Sequence, residues 1–263
     1  RLATRTAGGI PTVRTGCAVA AVAAVAVNAQ QSGVAAWAAA TAEEARGGSC
    51  AAVATGSSTV EGVALRPLPH PEPDRLVAIS SRNIESGREH LTAPLDFFDF
   101  ESRASSFARL AAYYPPGFTL TGGEQAERVS GARASSGIFD VLGVQPALGR
   151  GFHLAEDRAG APPVAVISHA LWMRRYHGDR AAVGQPIVLS GRPYTLVGVL
   201  PEGFHSPAMW PRMPEVWVPL GLDPNVARRD ARMLRVIGRL RPDVTVDRAR
   251  AELNVVANAL AIE

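Results

Sequence analysis

Only a few groupings in this 263-residue chain bring together residue types that could do chemistry. Ser168-His169 stands where the apolar run VAVI gives way to the helical pattern ALWMRRY, a junction at which hydrolases place a nucleophile. Such an elbow needs GxSxG around the serine to make the turn sharp enough, and that frame is absent. A serine N-cap opening the helix accounts for the pair more simply. His153, Glu156 and Asp157 come nearest to a metal-ligand cluster, but no HExxH or paired-cysteine spacing occurs. They read as the acidic start of a helical turn ahead of the loop at 160–163. Asp96, Asp99 and Glu101 carry acid-base chemistry in principle. Interleaved with Phe97, Phe98 and Phe100, they read as the wet side of a helix whose aromatics face the core. No catalytic, metal-binding or cofactor-binding residue is therefore assigned, no cofactor is expected, and the chain reads as a non-enzyme.

P-loop and lysine-based chemistry are excluded on residue type. All 27 basic residues are arginine, so there is neither a P-loop lysine nor a Schiff-base lysine. The glycine-rich pieces LTGGEQ and LGRGF lack the strand–GxGxxG–helix setting that binds dinucleotides. With 24 acidic residues against those 27, the net charge of +3 gives no nucleic-acid footprint. Among the tryptophans, Trp217 lies in a strand pattern and reads as core, while Trp210 in PAMWPRMP reads as a surface contact.

The elements that must position these residues alternate in type. Strand patterns occupy 75–80, 107–114, 117–123 and 124–134, with Gly122-Gly123 as the hairpin turn of a meander. Helical patterns occupy 92–104, capped by Thr92 with Pro94 in the first turn, and 135–144, capped by Ser135 or Ser136 and stopped near Gly143. A strand running into a helix follows over 162–179, then a hairpin at 187–201 around Ser190-Gly191, and a strand at 214–220. In MLRVIGRL the parity of Leu234, Val236 and Leu240 predicts a half-buried strand, with Arg235 and Arg239 on its wet face. Val246, Ala249, Leu253, Val256 and Leu260 recur at helical spacing, with Thr245 as the cap. Short connections between strands predict an α+β fold, a two-lobed domain with antiparallel or mixed sheets and flanking helices.

Ahead of that domain the composition changes. Residues 1–59 are about one-third alanine. The apolar run from Cys17 to Val27 is shorter than the ~20 residues a membrane span requires, so an irregular or helical leader is expected. The spacing of Cys17 and Cys50 does not decide whether they pair. Residues 60–74 contain Pro67, Pro69, Pro71 and Pro73, one every second residue, which enforces an extended polyproline rod and makes this stretch a linker.

Taken in order, VEGVALRPLPHPEPDRLV, LDFFDFESRASSFARLAAYYPPGFTLTGGEQAERVSGARASSGIFDVLGVQPALGRGF, EDRAGAPPVAVISHALWMRRYHGD, IVLSGRPYTLVGVLPEGF, EVWVPL and LRVIGRLRPDVTVDRARAEL resemble the periplasmic core domain of MacB-like ABC transporter permeases, of the orphan duplicated type. The resemblance spans about residues 60–263 and implies a domain at 75–263 with an inserted lobe at about 151–228. It also implies placement on the periplasmic side of a bacterial inner membrane, between two transmembrane helices. The implied partners are an ATP-binding subunit on another chain, a second permease half in a dimer or pseudo-dimer, and a periplasmic adaptor. The implied role is coupling ATPase-driven motion to those partners or to efflux. A stand-alone periplasmic module binding a small molecule or peptide is the alternative. Where the family carries a strongly hydrophobic helix ahead of the rod, this chain has Glu43, Glu44 and Arg46, each costing roughly 2.5–3.5 kcal/mol at a bilayer centre. The leader is thus expected to be a degraded membrane region at the start of a fragment.

Overall fold

The computed structural model describes residues 18–23, 72–83, 89–122, 125–204 and 213–262. Most of the leader, the rod up to Pro71, both cysteines, the second glycine of the Gly122-Gly123 turn and Trp210 lie outside the described residues. Among the described residues, twelve strands and four helices follow one another. They are β1 (Ala18–Ala23), β2 (Leu76–Asn83), β3 (Glu89–His90), α1 (Pro94–Arg103), β4 (Phe107–Tyr114), β5 (Gly117–Thr121), β6 (Glu127–Ala134), α2 (Ile138–Leu142) and β7 (Leu148–Gly149). After these come β8 (Val164–Ile167), α3 (His169–Tyr176), β9 (Pro186–Leu189), β10 (Arg192–Val199), β11 (Val216–Pro219), β12 (Arg235–Leu240) and α4 (Val246–Ile262).

The strands belong to one continuous mixed sheet that runs β1-β2-β12-β4-β6-β11-β8-β10-β9-β5. Because β5 also pairs with β6, the last six strands close into a ring. Closure removes the open edges that a small sheet would otherwise expose. Two of the pairings in the ring are parallel, β6 with β11 and β8 with β10. The barrel draws its strands from Gly117–Ala134 as well as from Val164–Pro219. Its interior is filled from every strand: Phe118, Leu120, Val129, Ala165, Ile167, Ile187, Leu189, Leu196, Val216 and Val218 are all buried together.

Strand parity then divides the remaining core. On β4, Leu110 and Ala112 face α1 and α4 with Val77, Ile79, Phe97, Phe100, Leu253 and Val256. Ala111 and Tyr113 on the same strand face the opposite way, toward α2. Barrel residues of the alternate parity, Val164, Val166, Val197 and Trp217, point outward into that same layer. Strands covered on both faces read as unbroken apolar runs, which is why VAVI and VWVP show no alternation. The eight residues of β4 carry the chain about 25 Å from its start beside Leu240 to the barrel.

Several local expectations need correction. Between β4 and β6 the predicted three-strand meander does not form, since β4 pairs with β12 and β6 and no register joins β4 to β5. Thr92 does not cap α1. Its backbone bridges Leu234, and Ala93 takes the N-cap position with Pro94 at N1. Neither Ser135 nor Ser136 caps α2. Gly137 occupies that position, and the Ser135 hydroxyl accepts the Ala112 N–H instead. Within the leader, Ala18–Ala23 is a strand along the otherwise open edge of β2, where unsatisfied backbone groups favour pairing over helix.

Glycines mark the tightest backbone approach. A Cβ on Gly198 would lie 2.2 Å from the Arg150 carbonyl oxygen, and one on Gly149, at φ +73°, 2.2 Å from that of Val197. Gly198 also sits at the register shift between β8 and β10. G198A is expected to push β7 off β10 and cost about 1–3 kcal/mol. A urea midpoint unchanged from the parent chain would contradict that expectation.

Candidate functional site at the chain entry and the seam

The described end of the proline-rich linker is bolted to the sheet by two arginines, and in place of the extended form expected there it turns, with a 3-10 helix at Pro73–Arg75. Glu72 adopts φ +48°, and its carbonyl accepts the Arg75 N–H at 3.1 Å. Arg75 pairs with the Glu72 carboxylate and donates from Nε to the Leu240 carbonyl at 2.9 Å. The hydrogen bond from Arg75 holds the Glu72 carboxyl below its ordinary range. Arg239, predicted on a wet face, is 9% exposed. It donates from Nε to the Val141 carbonyl of α2 at 2.9 Å and from Nη1 to the Glu72 carbonyl at 3.4 Å. Burial, then the charge of Arg75, push its guanidinium down, and the charge of Glu72 opposes them. The last turn of the rod, β12 and α2 thus share one side chain.

The second part of the site is the seam between barrel and open sheet. Trp217, fully buried, packs its ring 5.5 Å from Phe139 of α2 and 6.2 Å from Phe204, and Phe139 lies 5.3 Å from Phe152. Asp157 accepts the Ser136 N–H at 2.7 Å and the Gly221 N–H at 2.8 Å. Burial pushes its carboxyl up despite backbone hydrogen bonds from Gly221, Ser136 and Leu220. Further ties reinforce each half. Arg229 reaches both Asp96 (2.8 Å) and Asp99 (2.9 Å) of α1, so these carboxylates are clasped rather than wet. Glu252 of α4 accepts from the backbones of Ser105 and Ser106, and on the barrel Arg174 bridges Glu127 and Glu215.

The residues singled out by type are not brought together. Ser168 is the N-cap of α3, its Oγ accepting from Leu171 N at 3.2 Å, and the neighbouring His169 ring packs 5.4 Å from that of Trp172. Around His153, Glu156 turns back onto the His153 N–H and pairs with Arg150, while Asp157 faces the seam. No group of three or more His, Cys, Asp or Glu positioned for a metal ion occurs among the described residues. Beside α2 a shallow pocket of about 120 Å³, lined by Ser136, Phe139, Pro146, Arg150 and Phe152, falls short of the ~300–1,000 Å³ of small-molecule sites. Sequence reasoning missed Arg239 and Asp157. Alternation assigned one to solvent, and an acidic turn gave no sign that the other reaches two distant backbone groups.

A barrel continuous with an open sheet, whose far end is tied by two arginines to the turn at Glu72, defines a two-part α+β domain. The profile of the MacB-like periplasmic core domain matches residues 48–256. The chain belongs to that family, the extracytoplasmic domains of MacB-like ABC transporter permeases. No curated protein matches it. Among solved structures it is similar to the periplasmic region of MacB from Actinobacillus actinomycetemcomitans, at 15% identity and TM-score 0.52, over 68% of this chain and 78% of that one. It is similar also to a domain of a permease protein from Porphyromonas gingivalis, at 16% identity and TM-score 0.51, over 74% and 89%. The extracellular domain of the ABC-type transporter YknZ from Gram-positive bacteria aligns at 17% identity and TM-score 0.48, over 65% and 84%. No helix among the described residues is long and apolar enough to cross a membrane.

Proposed function

We propose that this domain is a non-enzymatic coupling element, carrying ATPase-driven motion of a permease to extracytoplasmic partners or to efflux from the periplasmic side of the inner membrane. The observation that carries the reading is the shared anchorage of the rod. Arg75 and Arg239 fix Glu72 to the end of β12 and to α2, so displacing the rod displaces both the open sheet and the seam. The ion pairs of Arg229 and the clasp at Asp157 continue that path toward the barrel. An ATP-binding subunit, a second permease half and an adaptor are the partners such a role requires.

The test uses the complete permease, reconstituted with its ATP-binding subunit and carrying one fluorophore on each of the two extracytoplasmic domains. ATP is expected to change the energy transfer between them. Unchanged transfer, with saturable calorimetric binding of a small ligand to the isolated chain, would turn the reading to a stand-alone binding module. Turnover of an ester or peptide panel, abolished by a single serine or histidine change, would remove the non-enzymatic assignment.

A further inference from the structure

Helix α3 ends in a group of side chains that neither the seam nor the rod uses. In HALWMRRYHG, Met173 stands four residues after His169 and four before His177, one helical turn from each. The chain then leaves the helix through two left-handed residues, His177 at φ +51° and Gly178 at φ +78°. The His177 N–H still donates to the Met173 carbonyl at 3.1 Å, which keeps the histidine directly after the last turn.

Gly178 leaves a notch beside that turn. A Cβ there would lie 3.3 Å from Met173 Sδ and 3.9 Å from Trp172 Cη2. The notch is therefore walled by a thioether on one side and an indole ring on the other, next to the His177 imidazole. Met173 is 46% exposed although apolar, and His177 is exposed. The indole itself is fixed, its Nε1 donating to the Asp179 carbonyl at 2.8 Å. His169 packs edge-on against the same ring at 5.4 Å, which makes it a brace for the indole.

The surrounding charges narrow what the notch takes. Arg174 is spent on Glu127 and Glu215, and Arg175 donates to the Thr121 carbonyl. Asp179 caps the 3-10 turn at Arg180–Ala182, accepting from Ala181 N at 2.8 Å. The C-terminal end of α3 is the negative pole of its dipole and favours a cation. Thioether sulfur and imidazole nitrogen are soft to borderline donors, suited to copper in its monovalent state rather than to hard oxygen-seeking ions. Neighbouring arginines repel an ion in proportion to its charge, which also favours a monovalent one.

We propose that Met173 and His177, walled by Trp172, form a site for a soft monovalent cation of the Cu(I) and Ag(I) class. Met173 Sδ supplies one lone pair and the His177 imidazole, turning on its exposed hinge, supplies the other. The indole adds cation–π attraction, for which tryptophan is the best aromatic. A grouping of histidines, cysteines and carboxylates does not capture this site, because its anchor is a thioether. The site does not depend on the coupling role.

The experiment titrates silver nitrate, in chloride-free buffer, into the 263-residue chain carrying C17S and C50S, which removes competing thiols. Methyl labelling of the four methionines follows each thioether separately. The Met173 methyl is expected to shift alone and to saturate at one equivalent, with the His177 ring signals moving in step. By calorimetry, M173L and H177N are each expected to weaken binding roughly tenfold or more. Asparagine is chosen at 177 because it tolerates the left-handed backbone. H169Q leaves the affinity close to that of the parent. Similar shifts at several methionine methyls, affinity unchanged in M173L, or affinity lost in H169Q but kept in H177N would overturn the site. Should H177N fail to fold, M173L decides alone. The ATP-driven fluorescence test involves neither silver nor α3, so either reading can fail without the other.

Discussion

Replacing Trp217 by alanine is expected to lower stability by about 3–5 kcal/mol, the cost of emptying a large aromatic site that cannot collapse. The indole is fully buried on the outer wall of the barrel, between Phe139 on α2 and Phe204 beyond β10. Its neighbours are held from several directions: Phe139 also packs on Phe152, and α2 is fixed through the Val141 carbonyl to Arg239. The surroundings therefore have little freedom to close over the void, which places the cost toward the upper part of that range. A whole domain is stabilised by about 5–15 kcal/mol, so the variant sits close to unfolding at ordinary temperature. W217F keeps most of the apolar volume and is expected to lose less than half as much. Urea unfolding of the two variants beside the parent chain checks this. An alanine variant within about 1 kcal/mol of the parent would mean that the seam repacks freely.

How far this arrangement can be read from sequence depends on the distance over which each interaction acts. The strand at Phe107–Tyr114, the Ser190-Gly191 turn between β9 and β10, the serine cap of α3 and the inward stripe Ala249–Leu253–Val256 of α4 are fixed by contacts within a few residues, and all are legible. Ring closure is not. The pairing of β5 with β9 and of β6 with β11 joins segments far apart in the chain, and nothing in GFTLT or VWVP names a partner. Thr92 illustrates a tertiary contact overriding a local signal, because its backbone is engaged with Leu234 and the cap falls to Ala93. Family resemblance supplied what periodicity could not, namely the extracytoplasmic setting. Neither periodicity nor resemblance singles out Asp157, whose role follows from two backbone groups brought side by side by parallel strands.

Arg239 is the residue whose loss is expected to separate the rod from the domain. Parity along β12 places Arg235, Ile237 and Arg239 on one face, and α2 covers that face, so the guanidinium is enclosed although the strand looks amphipathic. An enclosed guanidinium is tolerable only where its donors are used. Here two carbonyl oxygens, on Val141 and Glu72, accept from it, and neither is replaced if the side chain is removed. R239M retains much of the apolar stem but no donor. Leaving the Val141 acceptor unpaired in the interior is expected to cost about 1–3 kcal/mol. The Glu72 carbonyl lies nearer solvent and keeps the Arg75 N–H, so its loss adds little to global stability but removes the tie between rod and α2. Two observables then part company. Urea unfolding should report the modest stability loss, whereas cleavage at about residues 66–75 by a protease of broad specificity, located by mass spectrometry, should accelerate by more than the stability loss alone accounts for. R75A gives the complementary result, since it frees the Glu72 carboxylate and the Leu240 carbonyl while sparing α2, and it should speed cleavage with a smaller change in urea midpoint. If cleavage in R239M tracks global stability and nothing more, the linker is not held through this side chain.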